Sequence, residues 1–88
     1  MITINAQTKK GQAFINAYNR STNRTLSHCY ERPSTAKTRA EYYCRQQMHK
    51  EEGTGFKIVG YNCMQFSAGW QTAEGLRIET ACNSYLIK

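Results

Sequence analysis

Four cysteines and two histidines are the residues of this chain best suited to hold a metal ion or to attack a substrate, and their spacing argues against both uses. Structural zinc sites usually pair their thiolates about two to four residues apart, because one turn can then aim two sulfurs at one ion. Here Cys29, Cys44, Cys63 and Cys82 are separated by 14, 18 and 18 residues, without a close pair. His28 beside Cys29 is no substitute, since neighbouring side chains diverge in regular structure. The reading is of four reduced cysteines acting as small apolar residues. A cysteine nucleophile would need a histidine base, and His49 falls on the opposite side of its helix from Cys44. The chain has no aspartate, and its six glutamates lie mostly beside turns or basic residues. No catalytic residue, metal ligand or cofactor is expected, and the protein reads as a binder rather than an enzyme.

The charge says where binding would occur. Residues 1–50 carry nine lysines and arginines against two glutamates, whereas residues 51–88 carry three against four, within a total of +6. Such asymmetry favours an acidic partner: nucleic acid, an acidic protein face or an anionic membrane surface. On the helix expected over Ser34–Lys50, Tyr42 points away from the apolar stripe. Arg39 precedes it by three residues, Arg45 follows by three, and His49 lies a further turn on. An exposed aromatic framed by arginines suits stacking on a base with pairing to flanking phosphates. It suits a protein hot spot equally well, and it would become core if the N-terminal segment packed over it. Lys37 lies on the same helix, and Arg20, Arg24 and Arg32 are candidates to join the same basic surface from the preceding turn and loop.

The elements that must hold these residues follow from periodicity. Ile2–Asn5 can form a short strand, with Lys9-Lys10-Gly11 as a break. Ala13, Phe14, Ala17 and Tyr18 have helical spacing over Gln12–Arg20. Thr25–Glu31 fits a strand or a helix. Pro33 and Ser34 open the next helix, Ser34 as N-cap. Ala36, Ala40, Tyr43, Cys44, Gln47 and Met48 form its stripe, Lys37 and Glu41 are spaced to pair, and Gly53-Thr54-Gly55 ends it. Alternating segments then follow at Phe56–Val59, Cys63–Gln71, Leu76–Thr80 and Tyr85–Ile87, separated by turn residues. Trp70, Phe56 and Phe66 read as sheet core, and the exposed Gln and Thr as a solvated face. The expectation is one α+β domain over 1–88: a basic, mainly helical part over 1–53 and an antiparallel meander over 54–88. In that picture N-terminal helices pack on a three- to four-stranded antiparallel sheet formed by the C-terminal half.

No basic leader opens the chain and no apolar run approaches the roughly 20 residues of a membrane span, so a cytoplasmic protein without membrane contact is expected. Ser34-Thr35-Ala36-Lys37, the helix through Lys50 and the ending Leu76–Ile87 resemble small proteins encoded by phages and mobile elements, among them the anti-CRISPR proteins. That resemblance implies a stoichiometric inhibitor in the host cytoplasm, meeting a CRISPR effector protein, its guide RNA or its target DNA. Many inhibitors of that kind are acidic mimics of DNA, and a basic chain cannot work that way. The alternative is a stand-alone nucleic-acid-binding regulatory module.

Overall fold

The computed structural model describes residues 1–22, 35–61 and 66–88, and of residues 35–38 and 61 the backbone alone. Strand β1 (Ile2–Ile4) comes first, then helices α1 (Lys9–Arg20) and α2 (Thr35–Lys50). Strands β2 (Thr54–Tyr61), β3 (Phe66–Thr72), β4 (Gly75–Thr80) and β5 (Ser84–Ile87) complete the chain. The four C-terminal strands form the expected antiparallel meander. The expected sheet of three or four antiparallel strands is corrected in one respect: β1 adds itself in parallel beside β5, giving a mixed five-stranded sheet ordered β1-β5-β4-β3-β2. The pairing continues past β1, where Lys88 N–H donates to Ile4 and Ala6 N–H donates to Lys88.

Successive side chains of a strand point to opposite faces, and both faces of this sheet are covered. Leu76 and Ile78 of β4 pack with Ile4, Tyr18 and Ile87, joined by Phe14 and Ile15 of α1. On the other face Phe56, Ile58, Ala68 and Trp70 pack with Cys44 and Met48 of α2. The helices therefore lie on opposite sides of the sheet. The sequence expectation placed a helix over one face and left the Gln and Thr side solvated; that side is instead covered by α1. Arg77 and Glu79 pair with Trp70 and Ala68 and so share the α2 face, where both are buried.

Helix α1 begins earlier than expected. Thr8 caps it, its hydroxyl accepting from the Gly11 amide at 3.1 Å, so Lys9, Lys10 and Gly11 belong to the helix rather than to a break. Ala13 and Asn16 face solvent while Tyr18 is buried. The Tyr18 hydroxyl donates to the Gly55 carbonyl at 2.6 Å, and Lys57 Nζ lies 4.6 Å from its ring centroid. Burial pushes this phenol above its ordinary value of 10.0. The sign follows: below pH 10 the phenol is protonated in folded and unfolded chains alike, and its contribution is complete. Above pH 10 the unfolded chain releases the proton first, so stability falls until the folded value is also passed. Tyr18→Phe should cost about 1 kcal/mol at neutral pH, and the gap between variant and parent should narrow above pH 10. Urea denaturation of the two proteins at pH 7 and pH 10.5 checks this; a gap that does not change with pH counts against a buried phenol donor.

Helix α2 ends in a turn in which Gly53 N–H donates to Met48 at 2.8 Å and Glu52 N–H to His49 at 3.1 Å. This is the double hydrogen bond of a Schellman cap. Its left-handed residue is Glu52, with φ of 55°, and not the expected Gly53. Gly53 is needed for room: a Cβ there would lie 2.5 Å from Trp70 Cδ1. The turn brings Glu51 back onto the sheet.

Candidate partner-binding face

Helix α2 presents its stripe to the sheet through Cys44 and Met48 and turns the opposite side to solvent. The expected residues of that outer side are exposed: Arg39, Tyr42, Arg45 and His49. Tyr42 keeps 66% of its surface and Tyr43 56%. Tyr43 was expected in the apolar stripe. It stands on the flank of the helix, where the stripe gives out, and overhangs a groove instead of entering the core. Two adjacent tyrosines with more than half their surface in solvent are uncommon unless something covers them, since such rings bury large apolar area on contact.

The cations around these rings are not equivalent. Arg39 has no ion pair within the described residues. Arg45 bonds Glu41 at 3.2 Å, one helical turn back, and its guanidinium carbon lies 4.3 Å from the centroid of the buried Phe56 ring. It leans toward the sheet, and the Lys37 side chain expected to pair with Glu41 lies outside the described residues. Lys37 lies in the first turn of α2, and His49 and Lys50 in the last. Arg20 ends α1, the helix on the other side of the sheet, so the fold does not bring it to the α2 face. Arg24 and Arg32, with the undecided Thr25–Glu31 segment and the Ser34 cap, lie outside the described residues.

Beneath α2 sits an ionic cluster that the sequence did not announce. The Arg77 guanidinium, with a side chain only 4% exposed, donates to both Glu51 oxygens at 2.9 and 3.2 Å and to Glu79 Oε1 at 2.7 Å. Its Nη1 donates to the Tyr85 carbonyl at 2.8 Å. Trp70 Nε1 donates to Glu51 Oε1 at 3.0 Å, with Arg77 lying 5.2 Å from its ring centroid. Burial works against the charge on Arg77, but the hydrogen bonds to Glu79 and Glu51 outweigh it and hold the guanidinium above its ordinary value. The cluster ties the end of α2 to the middle of β4 and so fixes the helix whose outer face carries the tyrosines. Glu51 follows the last turn of α2, at the negative end of the helix dipole where an anion is unfavourable; its bond to Arg77 offsets that cost.

Cys44 is buried and Cys82 exposed. Burial, followed by the nearby Glu79, pushes the Cys44 thiol up to about 12, which keeps it protonated and unreactive at neutral pH. Among the described residues, no three His, Cys, Asp or Glu side chains stand close enough to hold a metal ion, and no helix is long and apolar enough to cross a membrane. Compared with protein-family models, curated proteins and solved structures, the chain matches none.

Proposed function

We propose that this protein binds a nucleic-acid-handling complex stoichiometrically, without catalysis, through the outer face of α2. The observation that carries the reading is the pair of exposed rings, Tyr42 and Tyr43, on a helix that also presents Arg39, Arg45, His49 and Lys50 to solvent. Rings of this kind stack on unpaired bases or on a partner's apolar surface, and the guanidinium groups pair with phosphate or carboxylate. With the resemblance to phage-encoded inhibitors, this face would occupy a CRISPR effector, its guide RNA or its target DNA. The second reading, a stand-alone nucleic-acid-binding module, uses the same face and differs only in needing no effector protein.

One pair of measurements separates them. Affinity for a short single-stranded RNA and for duplex DNA is followed by fluorescence anisotropy at several salt concentrations. Capture of an effector by the tagged protein is scored in a CRISPR-containing host lysate, with and without guide RNA. A module binds the free nucleic acid, with an affinity that falls as roughly 0.7 to 0.9 powers of salt per phosphate neutralised. An inhibitor recovers the effector. Neither result would leave the proposal without support. In whichever assay binds, Tyr42→Ala should weaken binding about tenfold, in line with about 1–3 kcal/mol per stacked base, while helix content by circular dichroism stays unchanged. Unchanged binding by the variant would remove the α2 face from consideration.

A further inference from the structure

A groove of about 520 Å³ opens beside α2, between that helix and the β4–β5 turn. Met1, Ile2, Tyr43 and Phe66 supply apolar walls, and Glu79 and Ser84, with Thr80 and Asn83, line its polar side. The size lies within the usual range for small-molecule sites, which runs from about 300 to 1,000 Å³. What sets this groove apart is the state of Glu79. Only 9% of the residue is exposed. Its Oε1 accepts from Arg77 Nη2 at 2.7 Å and from Ser84 Oγ at 2.5 Å, whereas its Oε2 accepts from no described residue.

Arg77 cannot supply the missing donor. Its Nε is committed to Glu51, Nη1 to the carbonyls of Tyr85 and Ile78, and Nη2 to Glu51 and Glu79. One guanidinium thus faces two carboxylates, Glu51 and Glu79, and the cluster carries one negative charge in excess. A buried carboxylate oxygen without a partner is costly. It is best satisfied by a donor that also brings positive charge. The negative excess disfavours an anion here, although the protein as a whole is basic. The walls favour a ligand whose remainder is apolar, and Tyr43 and Phe66 favour a flat one.

We propose that this groove binds a small organic cation, an amidinium or ammonium group on a flat apolar body, with the charged group on Glu79 Oε2 and the body between Tyr43 and Phe66. The site shares Tyr43 with the outer face of α2 but uses the Glu79 carboxylate rather than the cations there, so cation binding in the groove and phosphate binding on the helix can fail separately.

Benzamidine is a suitable probe, with benzamide as its neutral counterpart of nearly the same shape. In two-dimensional NMR titrations of the full chain, benzamidine should shift the amides of Tyr43, Cys44 and residues 80–84 saturably, and at least tenfold more tightly than benzamide. Glu79→Gln keeps an oxygen for Arg77 and Ser84 while removing the charge, and should bring the two ligands to within about twofold of each other. Should that variant fail to fold, Tyr43→Ala tests the wall at an exposed position, and benzamidine should bind it several-fold more weakly. Equal binding of benzamidine and benzamide by the parent protein overturns the proposal. So does a benzamidine response outside the groove, or a Tyr43→Ala variant that binds as the parent does.

Discussion

Arg77→Met should destabilise the domain by about 3 kcal/mol and lower its melting temperature by about 15–20 °C. Methionine fills a similar volume, so the cost is electrostatic. Removing one partner of a buried ion pair strands the other charge, typically at about 3–5 kcal/mol. Here two carboxylates are stranded, Glu79 with a side chain 11% exposed and Glu51 at 25%. Glu51 keeps access to water and a bond from Trp70, which places the figure at the lower end of that range. For a small domain whose whole stability is of order 5–15 kcal/mol, this is a large share. The diagnostic comparison is the triple variant Arg77→Met, Glu51→Gln, Glu79→Gln. If the penalty comes from stranded charge, the triple variant should recover most of what the single one loses, because neutral amides need no counter-ion. Thermal melts followed by circular dichroism decide it. A loss of only a degree or two in the single variant would mean that water reaches both carboxylates freely, and that the cluster does not hold α2 to the sheet.

The same cluster shows what could be read from the chain and what could not. Strands β2 to β5 were legible because alternation and turn residues are local signals, and Trp70, Phe56 and Phe66 were legible as core for the same reason. Tyr42 was legible because its angle on the helix places it opposite Cys44 and Met48. Tyr43 was not, since a residue at the margin of the stripe is decided by what the neighbouring strands offer, and here they offer a groove. The second covered face was missed because the Gln and Thr of the strands imitate a solvated face, although Leu76, Ile78 and Ile87 lie there under α1. A hint was present nevertheless: Phe14, Ile15 and Tyr18 give α1 an apolar face of its own, and two amphipathic helices each need a surface to cover. Strand β1 was readable as a strand but not as a parallel partner of β5, because its pairing joins the two ends of the chain. Arg20 was counted toward the basic surface on sequence proximity alone, and a sheet now stands between it and Tyr42.

Gly11→Ala should destabilise the domain by about 2–3 kcal/mol, although helix propensity alone favours alanine over glycine by about 1 kcal/mol. The two effects have opposite signs, and geometry wins. A Cβ on Gly11 would run into the Asn5 carbonyl oxygen and lie 2.9 Å from Ala6 Cα. Both obstacles are backbone, so no side-chain rotation relieves the clash. Nor can the Asn5 carbonyl move easily, because it accepts from Thr8 N at 3.1 Å and from Thr8 Oγ1 at 2.7 Å. The same threonine caps the helix on the Gly11 amide, so displacing Gly11 loosens the cap as well. Relief would require α1 to lift from the sheet, thinning the contacts of Phe14, Ile15 and Tyr18 with Ile78 and Ile87. Ala13, two residues on, faces solvent and supplies the internal control. There Ala13→Gly should cost about 1 kcal/mol, the ordinary propensity difference. Urea denaturation of both variants should therefore show alanine preferred at 13 and glycine at 11 within one helix. A Gly11→Ala protein as stable as its parent would mean that the Asn5–Thr8 turn yields to the added methyl group, and that Thr8 does not anchor the start of α1.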